Sequence, residues 1–215
     1  MIHEPLGSVV VICEGQGDDS FVRHLVRRRN LGNISTAYPS ASPGGRSGFT
    51  ELLRALRLHT NFGGVNKVIV VSDNDTDCDA SFVEVQRLIG SAGGYLVPPT
   101  PLAWTATRAG ISVAIVMLPE TGETGDLEIL CLRAAKEQWP QIYDCVEGYV
   151  RCTSREMLAV NKLSKLMLRC LLSAVCVTDP NTSLVHLWSR GAPYEIDLTN
   201  PAFDALAMFL AAAAA

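Results

Sequence analysis

Two apolar runs that end in acid constrain this chain most: Val9-Val10-Val11-Ile12-Cys13-Glu14-Gly15 and Val68-Ile69-Val70-Val71-Ser72-Asp73-Asn74-Asp75-Thr76-Asp77. Uninterrupted apolar runs of this length, closed by turn formers, read as strands buried on both faces, the kind that parallel α/β sheets contain. Open α/β sheets bind ligands outside the carboxyl ends of their strands, so Glu14 from one strand and Asp73-x-Asp75 from another are expected in one crevice. Hard oxygen donors of that kind suit Mg²⁺ or Mn²⁺ better than zinc.

The remaining elements follow the same plan. Phe21, Val22, Leu25 and Val26 recur at helical spacing behind Asp18-Asp19-Ser20, and Arg27-Arg28-Arg29 suits the helix end. Asn33 to Tyr38 reads as a short strand, followed by a loop rich in turn formers, Pro39 to Gly48, able to carry Arg46 to a ligand. Leu52, Leu53, Leu56 and Leu58 predict a helix over 49–59. A further helix is predicted over 79–89, with Phe82, Val83, Val85 and Leu88 on its buried side. After an irregular stretch with three prolines, residues 111–118 read as a strand and the polar loop 119–126 brings further acids to the ligand edge. A helix from Leu127 to about Gln138 stops at Pro140. Residues 142–210 read as mostly helical, with one helix from about Asn161 to Val177 and a last one near Asn200 that runs into the alanine tail. The expected fold is α/β and Rossmann-like: a mainly parallel sheet flanked by helices over residues 1–140, then a mostly helical extension over 141–215 packed on it.

Bulk properties narrow the function. Of the 215 residues 48% are hydrophobic and 19% charged, which excludes wholesale disorder. A net charge of −4 gives no global basic field for nucleic acid, so such binding must use local patches such as Arg23, Arg27, Arg28 and Arg29. The seven cysteines form no Cys-x-x-Cys pair, which speaks for reduced thiols in a cytoplasmic protein; Cys13, Cys131, Cys170 and Cys176 sit in apolar stretches as small hydrophobes. The start Met1-Ile2-His3-Glu4-Pro5 lacks a signal-peptide pattern, and no apolar stretch reaches membrane-spanning length without charge.

By itself, Asp73-Asn74-Asp75-Thr76-Asp77 is also what a solvated strand-to-helix loop with an N-cap looks like. Glu14, closing a second strand at the same edge, is what makes a metal site compete with that reading. If the strand continued through Asp75, period-two alternation would point Asp73 and Asp75 the same way, with Asp77 next in the series. Asp18 and Asp19 suit a helix N-terminus, and Glu128 begins a helix at the ligand edge; Glu128 and Asp18 are the candidates for a second-metal or auxiliary role. The Gly-x-Gly of Gly15 and Gly17 lacks the third glycine of a dinucleotide fingerprint, no phosphate loop of the Gly-x-x-x-x-Gly-Lys type occurs, and the histidines have no paired spacing.

Glu14-Gly15 with Asp18-Asp19 close behind, followed by Asp73-x-Asp75 after a second strand, resembles the Toprim domain, the catalytic fold shared by topoisomerases, bacterial primases and OLD-family nucleases. The resemblance covers residues 8 to about 132, and Gly125-Asp126-Leu127-Glu128 is similar to a segment of small stand-alone Toprim-like proteins. It implies Glu14 as general acid/base or metal-organising carboxylate, Asp73 and Asp75 as Mg²⁺ ligands, and Asp77 as an auxiliary acid. The chain departs from the pattern at Gln16-Gly17, where many relatives carry a lysine or another polar residue. No ATPase, zinc-binding or DNA-gate domain accompanies the Toprim-like core.

The reading expected from these residues is a Mg²⁺- or Mn²⁺-dependent nuclease or related phosphotransferase acting on DNA or RNA, with no membrane role. Its alternative is a non-catalytic Toprim-like module that binds metal, phosphate or a protein partner, in which Arg46, Lys162 and Lys165 are ordinary surface residues.

Overall fold

In a computed structural model, which describes residues 1–2, 5–40, 44–188 and 194–215, the two acid-ended runs form adjacent strands of a four-stranded, all-parallel sheet. His3, Glu4 and the first part of the loop before Arg46 (41–43) lie outside the described residues. The strands are β1 (Val9–Ile12), β2 (Ile34–Ala37), β3 (Lys67–Asp73) and β4 (Ser112–Leu118), in spatial order β2-β1-β3-β4. The register pairs Val9 with Lys67 and Asp73 with Leu118, so β3 and β4 end level, β3 on its first acid and β4 just before the polar loop.

Alternation along the strands divides the core between two faces. Val9, Val11, Ile69, Val71, Val116 and Leu118 face one layer, while Val10, Ile12, Val68, Val70, Val113 and Ile115 face the other; all are buried. Helices α2 (Phe49–Arg57) and α3 (Cys78–Ala92) cover the second face through Leu53, Leu56, Val85 and Ile89. Two expectations shift here. Leu58 is 86% exposed because α2 has already ended, and Val83 is 59% exposed because Leu88, Ile89 and Ala92 carry the buried side of α3 one step round the helix.

The first face carries α1 (Gln16–Arg29), α4 (Leu127–Gln138), α5 (Pro140–Cys152), α6 (Val160–Val175), the single turn α7 (Leu184–Leu187) and α8 (Asp204–Ala214). Phe21 of α1 packs at 5.5 Å from the Trp188 ring and 5.2 Å from Phe203, and Arg29 bonds the Leu198 and Asn200 carbonyls and Asp204 at 2.6–2.8 Å. Residues beyond 140 thus complete the same core as β1 and β3. The alanine tail takes part: the Ala213 carbonyl at the end of α8 accepts from Lys67 Nζ at 2.6 Å, a cation where the helix dipole favours one. Cys13, Cys131 and Cys176 are buried and Cys170 half-buried, all as free thiols. No helix among the described residues is long and apolar enough to cross a membrane.

Position follows from this topology. After β1 the chain leaves to the first face through α1; after β3 it leaves to the second face through α3. The two adjacent strands therefore open a crevice between their carboxyl ends, and Glu14 and Asp73 stand at its rims.

Candidate active site

Glu14 stands two residues beyond the last residue of β1, after Cys13, and its Oε1 accepts three donors from β3 and the loop beyond β2. These are the Ser72 hydroxyl in a short bond, the Asp73 backbone N–H at 3.1 Å and Arg46 Nε at 2.9 Å. Arg46 arrives on a 3₁₀ turn, Gly45–Gly48, that leads into α2. Only 11% of its side chain is exposed. Its fork also donates from Nη2 to the Asp73 carbonyl at 2.5 Å and to Asp75 Oδ2 at 2.9 Å, and from Nη1 to Glu84 Oε2 at 3.2 Å. Arg46 is therefore a central member of the site, not a surface residue. Its planar, multi-donor head is what allows one cation to bridge three carboxylates.

The strand does not continue through Asp75. Asp75 has φ of 51°, and its N–H and carbonyl pair with Gly125 at 2.8 and 2.7 Å, which turns the chain out of β3. Period-two alternation stops there, so Asp73 and Asp75 take different surroundings. Asp75 accepts from Arg46 and, through Oδ1, from Asn161 at the start of α6 at 3.2 Å. Asp73 instead turns inward, its Oδ1 accepting from the Leu127 N–H in the first turn of α4 at 3.1 Å. Gly125 is needed at this crossing: its φ is 131°, and a Cβ there would meet Ile129 Cδ1 at 2.1 Å. Asn74 closes the seam by donating to the carbonyls of Glu120 and Glu123 at 2.8 and 2.7 Å.

Around Asp73 lies a second acidic group: Asp18, Asp126 and Glu128. Burial raises the Asp73 carboxyl well above the ordinary range, and the charges of Asp18, Glu14, Asp126 and Glu128 add to it. Burial and Glu14 push Asp18 up to about 6, although it accepts from the Gly15 N–H at 2.9 Å as a helix-capping residue. Burial and Asp126 push Glu128 up to about 7, opposed by Lys165. Asp126 is fully buried; burial raises it too, against the Ser164 hydroxyl at 2.9 Å and Lys165 Nζ at 3.6 Å, both on its Oδ2. Its Oδ1 is buried without a hydrogen-bond partner. Asp77 stands apart as the N-cap of α3, its Oδ1 accepting from the Ala80 N–H at 2.9 Å. Asp19 is buried with Arg23 Nη2 at 3.3 Å.

The donors fit a hard divalent cation in kind: carboxylate oxygens that repel one another in a desolvated crevice, with an orphaned acceptor on Asp126. They are not yet gathered on one point, since among the described residues no three acidic, histidine or cysteine side chains stand close enough to share an ion. Arg46 supplies the positive charge between Glu14 and Asp75. Sequence periodicity pointed to Glu14, Asp73, Asp75, Asp18 and Glu128. It did not find Asp126, Ser164, Lys165 and Asn161 as members of the site; the polar Asn161-Lys162-Leu163-Ser164-Lys165 opening of an otherwise apolar helix was the available signal.

Two solved structures of the C-terminal region of the Xanthomonas campestris pv. campestris OLD protein, phased with platinum and with iodine, are similar to the chain. The first has 13% identity and a TM-score of 0.42, covering 97% of this chain and 94% of that one. The second has 14% identity and a TM-score of 0.37, covering 97% and 96%. Comparison with curated proteins found no match. The family described as "Protein of unknown function (DUF3226)" matches residues 8–211, and the chain belongs to that family.

Proposed function

We propose that the chain is a Mg²⁺- or Mn²⁺-dependent nuclease or related phosphotransferase acting on DNA or RNA in the crevice between β1 and β3. The observation that carries this reading is that Asp18, Asp73, Asp126 and Glu128 are buried near enough to raise one another's carboxyls beside Glu14, with Asp73 bonded to the first turn of α4, at the point where the sheet's connections change face. Glu14, Asp73 and Asp75 would hold the ion, with Asp18 and Glu128 beside it for a second. Bound there, a divalent cation would neutralise the scissile phosphate and lower the pKa of an attached water.

The chain's own groups do the rest. Glu128, pushed up to about 7, exchanges a proton near neutral pH, where a general base is most effective. Glu14 has Oε1 filled by three donors, which fixes its carboxylate at the crevice for proton transfer. Lys165, held 3.6 Å from Asp126 yet 49% exposed, faces an incoming phosphate with its charge intact. Asp77, whose Oδ1 caps α3, would serve the site through that helix and would not hold the ion.

Calorimetric titration of Mg²⁺ and Mn²⁺ into the protein and its Asp73→Ala and Asp75→Ala variants, followed by incubation with single- and double-stranded DNA and RNA, tests the reading. Cleavage lost in both folded variants supports it; unchanged cleavage in both refutes it. One observation favours a second reading, a non-catalytic binding module: Arg46 already neutralises Glu14 and Asp75. Metal binding without cleavage of any substrate would select that module.

A further inference from the structure

A groove of about 540 Å³ opens beside the carboxylates, between α6 and the 180–185 segment, with Glu128 and Lys165 at its mouth. We infer that this groove docks one unpaired nucleotide, its phosphate held by Lys165 and Arg169 and its base lying on Leu168, Leu172 and Leu184. This rests on the nuclease reading and names the form of substrate that the same site takes.

Charge places the phosphate. Arg169 lies one turn beyond Lys165 on α6, so both cations project from the same side of the helix. Lys165 has acidic neighbours in Asp126 and Glu128, whereas Arg169 is exposed and has no ion pair or hydrogen bond among the described residues. A guanidinium left without a carboxylate in a chain of net charge −4 is available to bind a phosphate in a forked geometry.

The floor and walls place the base. Leu184 is half-buried and the edges of Leu168 and Leu172, each 2% exposed, lie beneath it, so a small apolar patch sits next to the two cations. The walls are pinned: Ser173 Oγ donates to the Pro180 carbonyl at 2.6 Å, and Ser20 Oγ on α1 donates to the Val185 carbonyl at 2.8 Å. A preformed cleft of this volume lies in the small-ligand range, and its lining mixes leucines with cations, hydroxyls and an amide, as a nucleotide with an apolar base face and a charged phosphate requires. Bases in a duplex stay stacked inside and cannot reach such a floor, so the fit is to a single strand or a flipped-out end.

Binding is to be measured by fluorescence anisotropy of a short end-labelled single-stranded oligonucleotide in EDTA. The variants are Arg169→Glu, Arg169→Lys and Ser183→Trp, the last placing an indole in the groove from an exposed position. Loss of one charge-assisted phosphate contact weakens binding by about tenfold or more, so Arg169→Glu and Ser183→Trp should lose at least that while Arg169→Lys retains most. A nucleoside monophosphate should compete and inorganic phosphate should compete far less. Thermal melts confirm that the variants are folded. Wild-type protein that does not bind the single strand, variants that bind as wild type, or inorganic phosphate competing equally would each overturn the inference. Cleavage with binding unchanged in the variants leaves the nuclease reading standing without the groove, and groove-dependent binding without cleavage in Mn²⁺ leaves the groove standing without the nuclease.

Discussion

Arg46 holds Glu14 and Asp75 on one guanidinium, each at 2.9 Å, so two carboxylates that lie just beyond different strands are joined by a cation contributed from a third segment of chain. The three side chains are 11%, 20% and 38% exposed, so the pairing is only partly screened by water. A divalent ion bound by Glu14 and Asp75 would compete with Arg46 for the same two oxygens. Replacing Arg46 by Ala should therefore tighten Mn²⁺ binding in calorimetry. In EDTA the same change should cost about 2 kcal/mol in a denaturant melt, less than a fully buried pair because Asp75 and Glu84 are partly solvated, and saturating Mn²⁺ should restore most of it. Equal Mn²⁺ affinity in the variant and the wild type would show that the arginine and the metal do not share these oxygens.

The raised carboxyls set a direction for pH. Glu128 rises from an ordinary 4.5 to about 7, and Asp18 from 3.8 to about 6. An acid whose folded pKa exceeds its unfolded one binds more protons in the folded state, so stability falls as pH rises between the two values. Metal-free protein should lose thermal stability from about pH 4 to pH 7 through these groups, and Glu128→Gln should flatten the upper part of that fall. Added Mg²⁺ should restore stability mainly above pH 6. A stability profile for Glu128→Gln that overlays the wild type would contradict the assignment.

Asp77 separates capping from ligation. With its Oδ1 on the Ala80 N–H, Asp77→Ala should cost about 1 kcal/mol of stability as a lost N-cap and leave Mn²⁺ affinity unchanged. A several-fold weaker Mn²⁺ titration in a variant with that modest loss would make Asp77 a ligand after all.

Gly125 is a structural hinge of the site. At φ of 131° and with Ile129 Cδ1 2.1 Å from an added Cβ, Gly125→Ala should destabilise the fold by about 1–3 kcal/mol and disturb Asp75 through their paired backbones. Gly63→Ala, with nothing within 4 Å, should be near neutral. Urea melts of the two variants that coincide would remove the argument.

The strands and the acids that close them are legible in the chain alone, because hydrophobic period and turn chemistry are local: Val9 to Ile12 and Val68 to Val71 are apolar runs that a sheet buried on both faces hides from water. Glu14 and Asp73 were legible for that reason, as were the helices that begin at Phe49, Leu127 and near Asn161. Tertiary structure alone decided which acids meet. The strand ends at Asp73 because Gly125, some fifty residues on, captures the Asp75 backbone, and that pairing turns Asp73 inward and Asp75 toward Arg46. Arg46 reads as a loop residue until Glu14, Asp75 and Glu84 surround it. Ser164 and Lys165 belong to a helix that packs across α4 and reaches Asp126 only once the first-face core has formed. Burial and mutual repulsion among Asp18, Asp73, Asp126 and Glu128 exist only after folding removes water from between them, and no periodicity in the chain records that energy.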